Sequence, residues 1–459
     1  LTRGRQLKAQ GDAAGALAAF GQAATQAPDS AELQDEIGFL LAVLNRRTEA
    51  VERFRRAIAL DPTFAPAHYH LGVALWLAED RVNALPALVK AAQLQPADPE
   101  YRYRAGVALY ESGRPAEALA ELKRAVALRP ANADAWNYLG AVWQQLNDKQ
   151  AAVDAYREAV RLQPDNLDAR NSLGFVLVET GAADDGLAEF QRVLKADPRH
   201  VAARVNVGYA LMQKGDLTAA ITHYRDFVAS NPDSAVARYN LGLALKQKDD
   251  LESAQVELKR AIQLDPNLAE ARYTLGIVHW QSGDFEAAAA EMRAAIALRP
   301  DYAEAHYMLG TALQQAGNLD AAVAALNEAI RLDPHTPGPY NTLAQVLRRR
   351  GDIAGSKKAF AEADRIKKLR EGEQAAIFNL NAGLANLRQG KAALAEQQFR
   401  AALASAPHVA RAHRYLAQAL EVQGKHAEAA RESKMAEELE AAVLKGSARP
   451  LPSAPEPRR

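Results

Sequence analysis

Cysteine is absent from all 459 residues, so neither a disulfide nor a thiolate nucleophile or metal ligand is available to this chain. Charge of one sign is also missing. Lys+Arg and Asp+Glu number 56 each, which argues against a nucleic-acid partner held by bulk charge and leaves only a local patch to play that part. Hydrophobic residues make up 49% of the chain, yet no window approaches the about 18 uninterrupted apolar residues of a membrane span. Catalytic signatures are lacking as well: there is no GxxxxGKS/T, no HExxH and no GxSxG. His68 and His70, two apart on a helix, point to different faces and make a poor metal pair. Asp184-Asp185 and Asp249-Asp250 fall in turns, where capping explains them. These absences point away from an enzyme, and no cofactor is expected.

What is present is a period. Pro28, Pro62, Pro96, Pro130, Pro164, Pro198, Pro232, Pro266, Pro300 and Pro334 stand 34 residues apart without exception. Ten residues after each proline comes Gly38, Gly72, Gly106, Gly140, Gly174, Gly208, Gly242, Gly276 and Gly310, with Ala344 at the tenth place. A third series runs Ala50, Ala84, Ala118, Ala152, Gly186, Ala220, Ala254, Ala288, Ala322 and Ser356.

Apolar residues between these series recur at helical spacing, as in Phe285, Ala288, Met292, Ala295 and Ile296, so each unit reads as two helices. Gly215-Asp216, Gly283-Asp284 and Gly351-Asp352 read as the turn inside a unit: glycine ends one helix in the left-handed conformation and aspartate caps the next. Each proline stops the second helix, because it lacks an amide hydrogen and restricts the residue before it. Small residues at the glycine and alanine places predict close approach of the two helices of a hairpin.

A 34-residue pair of helices with Leu-Gly early, Ala midway, a bulky residue four further on, Ala three after that and Pro at the end resembles the tetratricopeptide repeat. Ala135 to Gly140, AWNYLG, is close to that family's opening motif, and Phe54, Tyr156, Phe190, Tyr224 and Phe360 occupy the bulky place. The large aromatic usual early in the first helix is Trp136 or Tyr340, but Arg102, Arg170, Arg204, Arg238 and Arg272 elsewhere. Val193 and Phe227 replace the late alanine in adjacent units. The resemblance implies an all-α fold: a right-handed superhelical solenoid of about 13 stacked repeats.

Gly4, Gly11, Ala16 and Phe20 align with the first repeat, so we expect Leu1 to lie inside a helix whose start is absent. Lys368 stands where the next proline is due, and the pattern resumes with Gly383, Gly390, Ala395, Phe399, Ala402 and Pro407. Pro407 is two periods plus five residues after Pro334, which implies a five-residue insertion near 371–375 and a lengthened second helix over Lys358 to Ala376. The expected organisation is a single solenoid over 1–443, followed by a disordered tail over 444–459 that holds Pro450, Pro452, Pro455 and Pro457.

In the resembled family the first helices line a concave face that binds partners. Seven residues after the prolines stand Asp35, Tyr69, Tyr103, Asn137, Asn171, Val205, Tyr239, Tyr273, Tyr307 and Asn341; Trp76, Tyr110, Met212 and Trp280 stand at fourteen, and Tyr209 at eleven. These residues share one helical face. The aromatics suit a binding surface, since they supply contact area at low entropy cost; the tyrosines equally suit packing between neighbouring helices. Asn206 and Asn240, eight after their prolines, are a consecutive pair resembling the asparagine rungs with which some family members grip a peptide backbone. The lysine, asparagine and arginine set that clamps a terminal carboxylate in chaperone-binding members is missing, with Arg104 the only basic residue eight after a proline. From Arg348 to Glu371 nine basic residues face four acidic ones, beginning with Arg348, Arg349 and Arg350. That stretch reads either as a solvated face or as a site for an anionic partner.

The function these features point to is a noncatalytic scaffold holding a protein or an extended peptide. The alternative is a structural protein that self-associates as a homo-oligomer through uncapped solenoid ends. The lack of cysteine and the Ala-rich, bacterial-looking repeats lean toward an exported protein, periplasmic or extracellular, over a cytoplasmic one.

Overall fold

Among residues 2–444, the part described by the computed structural model, the chain forms 25 α-helices and no strand. Leu1 and the proline-rich stretch from 445 onward lie outside the described residues, and with them the expectations for the start of the first helix and for the tail. From Ala13–Gln26 to Pro337–Arg349 first and second helices alternate at 13 and 14 residues, as in Ala235–Gln247 and Leu251–Leu264, then Ala269–Gln281 and Phe285–Leu298.

Local chemistry sets these lengths. Gly215, Gly283 and Gly351 take φ of +81°, +81° and +87° and end the first helix. Asp216, Asp284 and Asp352 then accept hydrogen bonds from the amides of Ala219, Ala287 and Gly355 at 3.0, 3.1 and 2.8 Å. Where glycine is missing, Asn45, Glu79, Asn147 and Asp249 are driven into the same left-handed region. The turn geometry is thus imposed by the hairpin and not by glycine alone.

Packing explains the two small-residue series. A Cβ placed on Gly242 would lie 2.7 Å from Leu258 Cγ, and one on Gly38 would lie 2.6 Å from Phe54 Cε1. Each glycine therefore makes room for the bulky side chain of its own second helix. Ala50, Ala84, Ala118, Ala152, Ala220, Ala254, Ala288 and Ala322 are all wholly buried. The largest side chains of the core, among them Phe54, Phe190, Tyr224 and Met292, are sealed by these close contacts.

The arginines at the usual aromatic place have a structural reason. Arg102, Arg170 and Arg238 each donate to the carbonyl oxygen of the proline six residues earlier, at 3.1, 2.9 and 2.9 Å. Trp136 Nε1 does the same to Pro130 at 2.9 Å, so a guanidinium and an indole perform one task. Arg204 differs. Its guanidinium lies 4.3 Å from the Phe227 ring centroid and donates to Ser230 Oγ at 2.8 Å. Val193 and Phe227, which replace the late alanine, are both buried.

The chain divides into two compact units, 1–203 and 204–459. Within each, successive hairpins pack in chain order, and in the second unit the first helices Ala235–Gln247, Ala269–Gln281, Ala303–Gln315 and Pro337–Arg349 touch one another in turn. The insertion has a larger effect than the lengthened helix expected over Lys358 to Ala376. One helix of 36 residues, Ile353–Arg388, absorbs the insertion and the following first helix as well. It packs against Pro337–Arg349 and also against Ala392–Ser405. Without a proline at Lys368 nothing stops it, and ion pairs one turn apart, Asp364–Lys368 at 2.7 Å and Lys367–Glu371 at 3.8 Å, stabilise the extra turns.

Candidate binding surface

The first-helix side chains of the two units are anchored differently. In the first unit, Tyr69 stacks on Tyr101, with ring centroids 4.6 Å apart. The Arg81 guanidinium lies 3.8 Å from the Trp76 ring centroid. Trp76 borders an apolar recess of about 50 Å³ with Val73, Leu77, Leu88, Arg104 and Val107. Tyr110 meets Tyr138 edge-on at 6.0 Å. Tyr103 is only 8% exposed and sits in the core, where burial pushes its hydroxyl up to about 12. It also lines a polar recess of about 520 Å³ together with Glu100, Arg104, Arg129, Asn132 and Asp134. Glu100 is shared there by Arg104 at 2.9 Å and Arg129 at 3.3 Å.

In the second unit, Asn206 and Tyr209 are half-buried on Val201–Gln213, and Tyr239 packs against the core around Leu241 and Leu275. Asn240 turns its Nδ2 onto the Val236 carbonyl of its own helix at 2.8 Å, which commits one of its amide protons. Tyr273, Trp280 and Tyr307 are half-buried against the cluster containing Met292, Leu309 and Leu326. Tyr273 meets Tyr302 at 4.9 Å, and the Arg299 guanidinium covers Tyr302 at 3.6 Å while bonding Glu270 at 2.9 Å. Trp280 Nε1 is shielded from solvent and has no acceptor.

Arg348, Arg349 and Arg350 are all exposed but are not equivalent. Arg349 donates to the Gln314 carbonyl at 2.9 Å and Arg350 pairs with Asp320 at 2.9 Å. Three of the basic residues on the long helix are likewise neutralised nearby, Arg365 by Glu362, Lys367 by Glu371 and Lys368 by Asp364.

The two histidines read as a poor metal pair part company. His68 Nε2 lies 3.0 Å from the Pro62 carbonyl, whereas His70 Nδ1 lies 2.9 Å from Asp35 Oδ1. Among the described residues no group of three or more His, Asp or Glu could hold a metal ion, and no helix is long and apolar enough to cross a membrane.

Several contacts escaped the sequence reading. Tyr101, Tyr302 and Arg299 belong to the aromatic stacks but lie outside the register seven, eleven and fourteen residues after the prolines. Gln213, Gln247, Gln281 and Gln315 occupy the next place on the first helices, fifteen after the prolines, and all four are exposed. Lys246 shares the register of Met212 and Trp280. It is half-buried, and burial pushes its ammonium pKa below the usual lysine range. The 34-residue step was the available signal for both.

Comparison with known proteins follows the same pattern. Tetratricopeptide-repeat families match residues 273–337, 380–442 and 99–132, and a TPR repeat family matches 44–78 and 244–283. Residues 118–235 match the cytochrome c-type biogenesis protein H TPR domain. No curated protein matches the chain. Among solved structures, a tetratricopeptide repeat protein from Parabacteroides merdae is 14% identical, covering 54% of this chain and 98% of its own, with a TM-score of 0.50. A MamA protein is 27% identical over 36% of this chain and 96% of its own, with a TM-score of 0.35. YrrB, described as a TPR protein with an unusual peptide-binding site, is 22% identical over 40% of this chain and 95% of its own, with a TM-score of 0.39. With a 34-residue period, capped hairpins built on it and family matches spread from residue 44 to residue 442, the chain belongs to the tetratricopeptide-repeat family.

Proposed function

We propose that this protein is a noncatalytic scaffold whose first-helix face holds a partner protein or an extended peptide. The observation that carries the reading is the register of Tyr239, Tyr273 and Tyr307. They stand at one place on three successive first helices that touch one another, each half-buried against the core. A tyrosine fixed in this way loses little further side-chain freedom on binding, so the contact area it offers costs little entropy. Such rows suit a ligand that runs along the repeats. An exported location accords with the lack of cysteine and with the match of residues 118–235 to the cytochrome c biogenesis protein H domain.

Panning a displayed library of random dodecapeptides against the whole chain tests the reading. Enriched peptides should bind the parent and lose binding to Gln281→Trp, which blocks the first-helix face, but not to Lys259→Trp on a second helix. Enriched peptides insensitive to Gln281→Trp, or no enrichment at all, would remove the first-helix face as the binding surface.

A further inference from the structure

Two features of the second unit's first-helix face remain unused by the fold. The first is a row of carboxamides. Gln213, Gln247, Gln281 and Gln315 recur every 34 residues in the last turn of four successive first helices. All are exposed, and none has a hydrogen-bond partner among the described residues. The second is Lys246, one residue before Gln247 and in register with Met212 and Trp280. No ion pair or hydrogen bond holds its ammonium group among the described residues, although it is half-buried.

The surrounding charges do not answer Lys246. Asp250, in the following turn, caps the amide of Ser253 at 3.2 Å. Asp249 is exposed in the same turn and makes no pair with the lysine. Glu270 is held by Arg299, and Glu304 stands ten residues before Gln314 on its helix, about 15 Å along the axis. Lys246 is thus an unanswered, partly desolvated cation on this face; Trp280 Nε1, one repeat on in the same register, also lacks an acceptor but is shielded from solvent. The ammonium group donates best to an oxygen carrying negative charge.

The spacing fits an extended chain. Packed helices lie about 8–10 Å apart, and an extended peptide advances about 3.3 Å per residue. About three peptide residues therefore span one repeat, so successive glutamine carboxamides can meet backbone amide and carbonyl groups at a regular interval. We propose that the second unit grips an extended peptide by its backbone through Gln213, Gln247, Gln281 and Gln315, and reads one aspartate or glutamate of that peptide with Lys246. This rests on the first-helix face being the binding surface. It adds the chemistry of the partner: an acidic, unstructured segment. No terminal carboxylate is required, because the lysine lies mid-row and not at the end of the series.

The test uses the full chain and two fluorescein-labelled dodecapeptide pools randomised over Gly, Ser, Ala and Val. One pool also carries Asp and Glu, the other Asn and Gln at the same frequency. By fluorescence anisotropy the acidic pool should bind about tenfold more tightly, the size expected of a hydrogen bond to a charged group. Lys246→Met should abolish that preference, whereas the exposed second-helix control Lys259→Met should keep it. Gln247→Ala with Gln281→Ala should weaken both pools alike. Lys246→Met should leave the melting temperature unchanged or raised, since the lysine has no partner to lose, so a folding defect is distinguishable from a lost contact. Equal binding of the two pools, or a preference that survives Lys246→Met, overturns the acidic reading and leaves the binding face standing. Failure of both pools to bind the parent overturns both.

Discussion

Arg238 Nη1 lies 2.8 Å from Glu257 Oε2, tying the first helix of a hairpin to its second across nineteen residues. The same spacing joins Arg102 to Glu121, Arg170 to Glu189 at 2.7 Å and Arg272 to Glu291 at 3.3 Å. Where the arginine place holds Gln34, the partner is Arg53 at 2.9 Å, so the hydrogen bond persists with its charge removed from one side. At the last such place His413 makes the same two contacts, with the Pro407 carbonyl at 3.0 Å and with Glu432, so the place calls for two nitrogens set apart on one planar group, and a lysine offers only one.

Arg238→Ala is therefore expected to cost about 1–3 kcal/mol, because both polar partners are left partly buried. Arg238→Lys should recover little of the loss. A double-mutant cycle with Glu257→Ala should return a coupling of about 0.5–3 kcal/mol in denaturant melts. Additive losses would mean that the pair is incidental to hairpin stability.

Gly242→Leu and Ala254→Leu should each destabilise by about 1–3 kcal/mol through overpacking. Gly242 has Leu258 against it, and Ala254 is wholly buried. Lys248→Leu, at an exposed turn, should be near neutral. Equal melting temperatures for the three variants would contradict the close-approach explanation of the two series.

Trp280→Ala and Tyr273→Ala should lower stability by about 1–3 kcal/mol, less than the about 3–5 kcal/mol of a fully buried large aromatic, because each side chain is only half inside the core. Tyr273→Phe should keep the melting temperature. A full-sized loss for Trp280→Ala, with partner affinity unchanged, would assign these residues to packing between repeats alone.

Glu396 sits in a cage of donors: Lys425 at 2.7 Å, Arg400 at 3.0 Å and Gln423 at 2.9 Å. The Lys425 hydrogen bond leads in holding its carboxyl down to about 2, with Arg400 and Gln423 adding to it. A depressed folded-state pKa stabilises above the unfolded value and loses that stabilisation as pH falls through the folded one. The contribution, on the order of 1 kcal/mol, should be complete at neutral pH and vanish between about pH 4.5 and about 2. Glu396→Gln should melt lower than the parent at pH 7 and converge with it near pH 2. A gap between the two that is constant with pH would exclude this electrostatic origin.

Repetition made much of this protein legible in its sequence. A proline, a glycine and an alanine recurring at a fixed 34-residue step can be satisfied only by one hairpin built many times over, because turn, cap and close contact each constrain backbone chemistry locally. The helix order, the Gly-Asp turns and the family followed from that. Other features depended on atoms far apart in the chain. The lengthened helix near Lys368 was foreseen, but its continuation to Arg388 was settled by packing against two hairpins at once. Tyr103 looked like a surface tyrosine by register and is a core residue, whereas Tyr273, in the same register, is half-exposed and meets Tyr302. Register tells which helical face a side chain occupies. How much of that face its neighbours cover depends on the sizes of side chains one repeat away, and only the tertiary structure brings those together.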